Sequence, residues 1–359
     1  MTHTTVDFRS DNCGRAAPEM IAALSAANAG TALGYGGDTL TADLQTRLAQ
    51  VFETPLRVYP VPTGTAANAV SLAASCTPFG AVYCSALAHV NTSECNATGF
   101  YGGGTKLVPI DGEHGKVSAD ALLREIDGAG VGLAHKNQPA AVNLVQATDM
   151  GAVYGLDEIA AVSRVAHARG LTVHMDGARF ANALVTLGCT PAEASWRAGV
   201  DVLSLGVTKN GGLLTDAIVV FAPDVATSIG FHLRRAGLVW SKMRFASAQI
   251  MAYVDDDLWL RLARQANAAA ASIARRLAPL AAIRLIAPVQ ANELFVELPS
   301  AQALEGLQED GFLFQRRGHR LARFVCRWDS SEIECGALVA AIGRQVVAET
   351  TARTEGNRR

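Results

Sequence analysis

Apolar residues in this chain cluster in short runs, and the stretches between the runs are alanine-rich with apolar positions at helical spacing. The runs predict strands at Val58–Val61, Ala81–Cys84, Lys106–Ile110 and Ala141–Val145, with a helix over Thr65–Ala74. Leu156–Arg169 carries apolar residues at 156, 159, 162 and 165–166, the spacing of one helix face. Gly170 then stops that helix, and Leu171–Met175 follows as a strand. Asp201–Leu205 and Ala217–Phe221 are two further strands. Strands alternating with helices predict an α/β architecture, a mostly parallel sheet covered by helices on both faces.

The pattern changes after about residue 240. Met243–Leu277 contains neither Gly nor Pro and predicts a long helical region. Two strand-like runs, Glu293–Leu298 and Ala322–Arg327, flank a helix over Ala301–Glu309, and Ile333–Val347 reads as a final helix. The division expected from this change is a large domain over residues 1–240, then a linking helix and a smaller α+β domain over 241–359.

Composition narrows the classes. Half of the 359 residues are hydrophobic, enough for a large core and a second domain. Only 18 % are charged and the formal net charge is −2, so no field of one sign invites nucleic acid. The basic end, Arg353 to Arg359, reads as a frayed terminus. No apolar run is long enough for a membrane helix, and MTHTTVDFRSD has no secretion-signal core. The seven cysteines are odd in number and show no CxxC spacing. This points away from a disulfide framework or structural zinc and toward reduced thiols in the cytoplasm.

Ligand sites of open α/β sheets lie at the carboxyl ends of the strands. Three polar features fall there: Gly64 and Thr65 at a helix start, Asp176 at the end of LTVHMD, and Lys209 after DVLSL. Each has an ordinary reading alone, as a cap or a solvated strand end. Together they suit pyridoxal 5'-phosphate (PLP). A helix N-terminus holds a phosphate, a carboxylate keeps a pyridine nitrogen protonated, and a lysine amine forms a Schiff base.

The motifs SDN (10–12), YGGD (35–38), PTGTAAN (62–68), AHVNTSE (88–94), HMDGARFANA (174–183), TKNGG (208–212) and ARFVCRWD (322–329) resemble the threonine aldolases, most closely the low-specificity L-threonine aldolases. These belong to the β-eliminating lyase group of fold type I PLP-dependent enzymes. The resemblance implies that fold, with Lys209 as the Schiff-base lysine and Asp176 as partner of the pyridine nitrogen. It places His89 over the cofactor ring, Arg179 near the cofactor's phenolic oxygen and the substrate carboxylate, and Gly64 and Thr65 on the phosphate. Ser10 and Arg323 would bind the substrate carboxylate, Arg244 would lie near the phosphate, and Tyr35 would sit in a loop at a subunit interface. The ordinary readings are a surface histidine for His89, a cap for Ser10, and a strand residue paired with Asp329 for Arg323.

The resemblance further implies retro-aldol cleavage of L-threonine, L-allo-threonine or phenylserine to glycine and an aldehyde, by a homodimer or homotetramer with shared active sites and no metal. The alternatives are β-elimination by another fold type I lyase, or an inactive binding protein. One stretch departs from the family. QATDMGAVY (146–154) stands where many members carry Glu-Asn-Thr-His-Asn, so a second histidine is missing. The catalytic base is then His89, a water held by His89 or Asp149, or a water on the phosphate.

Overall fold

The computed structural model describes residues 5–356, with side chains through residue 349. The chain forms two compact units. One comprises Ala16–Asp149 and Val153–Leu260; the other takes the N-terminal segment through Arg15, Met150–Ala152 and the chain from Arg261 onward. The composition change suggested a division at 240/241. The observed division falls at 260/261, and the first fifteen residues join the C-terminal unit because Val6–Asp7 pairs in parallel with Phe312–Leu313.

The large unit is built on a seven-stranded sheet in the order Arg57–Val61, Asp216–Val220, Val202–Leu205, Thr172–Gly177, Gln138–Val145, Gly80–Ser85, Lys106–Ile110. Asp216–Val220 is antiparallel to both neighbours, and the other pairings are parallel. Val202–Leu205 and Asp216–Val220 are buried along their whole length, as strands covered on both faces must be. Helix Gly64–Ser75 lies on the sheet through Ala67 and Val70, which pack with Val61, Val202 and Ile218. It starts where Thr63 Oγ1 accepts the Ala66 N–H at 3.1 Å.

The small unit has a four-stranded antiparallel sheet in the order Gln315–Arg316, Leu321–Val325, Glu293–Glu297, Arg284–Leu285. Its core joins Phe8, Leu294, Val296, Leu304, Phe324, Leu338 and Ile342. Among the described residues no helix is long and apolar enough to cross a membrane.

Two expected helical stretches need correction. The stretch Met243–Leu277 is not one helix but Arg244–Val254 and Leu258–Leu277, separated by Asp255–Asp257. Asp256 and Asp257 adopt positive φ of 49° and 52°, which the absence of Gly and Pro did not betray, since aspartate tolerates this region. The last helix runs Glu332–Gly356, into the stretch expected to be frayed; residues 357–359, like residues 1–4 of the N-terminal stretch, lie outside the described residues. Pro18–Ala27 and Thr39–Val51 are helices that the apolar pattern did not register; only Met20, Ala27, Leu44 and Leu48 of them are buried.

One buried polar link crosses the centre of the large sheet. His174 is fully buried, with Nδ1 2.7 Å from Asn143 Oδ1 and Nε2 2.9 Å from Ser204 Oγ. An amide oxygen only accepts, so Nδ1 carries the proton and Nε2 accepts from the serine hydroxyl. Burial pushes this imidazole down to about 4. The unfolded chain, with an ordinary histidine near ~6.5, therefore binds more protons, and stability is lost as pH falls through the window from ~6.5 to 4. His174 should make wild type lose about 2 kcal/mol between pH ~7 and ~5 that His174→Gln does not lose. Urea unfolding of both proteins across this range checks it; parallel pH profiles would refute it.

Candidate active site

Arg57–Val61 and Val202–Leu205 are both antiparallel to Asp216–Val220, so they run in the same direction as Thr172–Gly177. The carboxyl ends of all three strands therefore share one edge of the sheet. Gly64 opens its helix there, Asp176 stands near the end of its strand, and Lys209 sits in the single turn Thr208–Asn210.

Asp176 is 3 % exposed. Its Oδ1 accepts the Ala178 N–H at 3.0 Å and its Oδ2 accepts from Asn68 Nδ2 at 2.8 Å. Asn68 is one turn into helix Gly64–Ser75, and its amide nitrogen also donates to Glu94 Oε1 at 2.9 Å. The same Glu94 oxygen lies 2.8 Å from His89 Nδ1. A continuous chain of hydrogen bonds thus runs from His89 through Glu94 and Asn68 to Asp176. The Glu94 side chain has no exposed surface, whereas 42 % of the His89 side chain is open. The hydrogen bond to Glu94 raises the His89 imidazole above its ordinary value, against a lowering by burial. Burial raises the Glu94 carboxyl, although His89 and Asn68 pull it down.

The lysine turn is held from below. Asp216 Oδ1 accepts the N–H groups of Val207 at 2.7 Å and Thr208 at 3.0 Å, and burial raises this carboxyl. Gly206 lets this turn come against the Asp176 corner. Its N–H bonds to Gly177 O at 3.0 Å, and a Cβ there would run into the backbone of Ala178. Asp216 also lies beside Gly64, whose added Cβ would be 3.9 Å from Asp216 Oδ2.

The remaining expected residues are more dispersed. Arg179 is buried at the start of helix Phe180–Leu187, three residues after Asp176. Arg244 opens helix Arg244–Val254 with its Nε buried and without a hydrogen-bond partner. Tyr35 is exposed, has φ of 57°, and stacks under the Arg234 guanidinium at 4.7 Å. Asp149 is half-buried. In the departing stretch, Gln146 is structural, since its side-chain amide bonds both the N–H and the C=O of Tyr154 at 3.0 Å.

Ser10 and Arg323 belong to the other unit. Ser10 caps the turn Asp11–Cys13 by accepting the Asn12 N–H at 3.1 Å. The alternative pairing of Arg323 with Asp329 does not form. Arg323 instead bonds Glu293 through Nε at 2.8 Å and through a second nitrogen, and Gln315 at 2.9 Å. Asp329 is engaged by Arg15 and Arg327.

These residues fit a pyridine–phosphate cofactor. Among the described residues Asp176 is a buried carboxylate with two neutral donors and no ion pair, an arrangement that favours a cation against it. A protonated ring nitrogen is such a cation. The first N–H groups of helix Gly64–Ser75 have no intrahelical partner and suit a phosphate, as does the orphaned Arg244 Nε.

The family model described as beta-eliminating lyase matches residues 7–301. The chain belongs to the β-eliminating lyase family. The chain is 43 % identical over 331 residues to a Pseudomonas aeruginosa protein named low specificity L-threonine aldolase, covering 92 % of the chain and 95 % of that relative. It is 40 % identical over 343 residues to a Pseudomonas sp. protein of the same name, covering 95 % and 98 %. A solved Leishmania major threonine aldolase superposes with a TM-score of 0.88 at 24 % identity, covering 95 % of this chain and 99 % of that one. The fold is that of fold type I PLP-dependent enzymes.

Sequence reasoning assigned no role to Glu94, Asn68, Asp216 or His174. Glu94, Asn68 and His174 sit inside quoted motifs. Asp216 carried one signal, an acidic residue opening the otherwise apolar strand Asp216–Val220.

Proposed function

We propose that this member of the β-eliminating lyase family is a PLP-dependent aldehyde-lyase that cleaves the Cα–Cβ bond of L-threonine, L-allo-threonine and related L-β-hydroxy-α-amino acids to glycine and an aldehyde. The observation that carries this reading is the buried Asp176, held by neutral donors among the described residues, at the same sheet edge as the Lys209 turn. The relatives named low specificity L-threonine aldolase support the substrate class.

Lys209 would hold the cofactor through its amine, Gly64 and Thr65 would hold its phosphate with Arg244 nearby, and His89 and Arg179 would flank its ring. When bound, the cofactor supplies a sink for the electron pair left on Cα as the Cα–Cβ bond breaks. Asp176 keeps a proton on the ring nitrogen, because a buried carboxylate stabilises a facing cation. His89 takes the β-hydroxyl proton, a task suited to imidazole and worth about 10²–10⁴ in rate. Arg323 keeps two of its five N–H donors after bonding Glu293 and Gln315, which supports its role, with Ser10, on the substrate carboxylate. The family's description favours one second reading, β-elimination, which releases ammonia and a keto acid instead.

We further infer a cytoplasmic homodimer or homotetramer, with the exposed Tyr35 loop at a subunit contact. Sedimentation at assay concentration should give at least a dimer, and an active monomer would overturn this. Incubation with L-threonine should release glycine and acetaldehyde in equal amounts, and Lys209→Ala should abolish both release and the yellow colour of the bound cofactor. Ammonia and a keto acid from the wild type would favour elimination. His89→Phe keeps a flat ring and removes both nitrogens, so kcat should fall at least about tenfold with near-normal cofactor binding. A fast His89→Phe beside an inactive Asp149→Ala would move the base to Asp149 or its water.

A further inference from the structure

The hydrogen-bond chain behind His89 contains a carboxylate that the proposed reaction does not use. Glu94 is buried, and its Oε1 is the meeting point of His89 Nδ1 at 2.8 Å and Asn68 Nδ2 at 2.9 Å. An ionised carboxylate only accepts, so the proton between Glu94 and His89 sits on Nδ1. That leaves Nε2 of the neutral ring as its proton-accepting atom. Glu94 Oε2 is buried without a hydrogen-bond partner, so its charge is compensated mainly through the oxygen that faces His89.

We propose that Glu94 is a positioning residue for His89: its carboxylate fixes the ring with Nε2 as the proton acceptor, stabilises the imidazolium that forms, and through Asn68 ties that ring to the Asp176 carboxylate. The proposal rests on the reading of His89 as the base. A carboxylate behind an imidazole acts in this way in the serine-protease triad, where it sets the tautomer and steadies the charged ring without itself being the base. The link through Asn68 adds a geometric coupling. The side chain that orients Asp176 also orients Glu94, so ring-facing carboxylate and base keep a fixed separation.

The charged groups that face His89 are Glu94 on its own segment, Asp176 from the central strand and Lys209 from the turn after Val202–Leu205. Glu94 and Asp176 hold the imidazole up, while Lys209 and burial push it down. Removing the Glu94 charge leaves only Asp176 in support, so His89 should lose its proton at lower pH.

Glu94→Gln tests this, because it keeps the length and one acceptor and removes the charge. In full-length protein without cofactor, site-resolved carbethoxylation of His89 against pH reads the ring directly. The midpoint for Glu94→Gln should lie at least about half a pH unit below wild type. In the loaded enzyme the acid limb of kcat should move the same way, with kcat down at least about tenfold, threonine KM little changed and cofactor affinity retained. Glu94→Asp keeps the charge one methylene shorter and should recover part of the rate. If Glu94→Gln does not fold, Glu94→Asp decides alone: a smaller shift of the His89 midpoint supports the proposal, and a wild-type midpoint overturns it. An unchanged His89 midpoint in folded Glu94→Gln also overturns it. Should the wild type release no glycine from threonine, the reaction assignment fails, while the carbethoxylation midpoints still decide whether Glu94 governs His89.

Discussion

A buried carboxylate, held among the described residues by neutral donors alone, organises the corner of the large unit where the Lys209 turn closes. Asp176 sits near the end of a central strand, almost without exposed surface, and is held only by an amide side chain and a backbone N–H. Such a group is costly by itself and favourable where a cation faces it. Several neighbouring features follow from keeping it in place. Asn68 must come from the helix on that face of the sheet, and Gly206 must lack a side chain so that the next strand end closes on the same corner.

Two histidines near this point show how environment divides one residue type into two tasks. His174 lies two residues before Asp176 on the same strand, so both point to the same face. Fully enclosed between an amide oxygen and a hydroxyl, it stays neutral and links three strands. His89 is partly open and backed by a carboxylate, so it holds a proton more readily than free histidine. Desolvation dominates in the first and hydrogen bonding to an acid in the second.

Much of this was legible in the sequence, for physical reasons. Short buried strands read as apolar runs, and Lys106–Ile110 and Ala301–Glu309 fall at the bounds the pattern gives. Gly64, Thr65, Asp176 and Lys209 stood out because polar residues directly after such runs interrupt an otherwise apolar pattern. Glu94 was not legible because its contacts, with His89 five residues earlier and with Asn68 on helix Gly64–Ser75, follow no strand or helix period. Asp216 left only the trace of an acidic residue opening an apolar strand, since it acts on backbone N–H groups. The break at Asp255–Asp257 was hidden because it is made by aspartates at positive φ, with no Gly or Pro to mark it. Asp329, the partner in the ordinary reading of Arg323, is closer in sequence than its observed partner Glu293, which lies diagonal to it on the neighbouring strand.

The pairing of Gln146 with Tyr154 bears on how this family can vary. One side chain reproduces both halves of a backbone pairing and ties the two ends of the segment between them. The segment it closes is itself packed: Ala147, Thr148, Ala152 and Val153 are buried, and the Thr148 hydroxyl donates to His114 O at 2.8 Å. Replacing Gln146 by a residue without an amide would leave a donor and an acceptor of the buried Tyr154 backbone unpaired, so position 146 tolerates little beyond an amide.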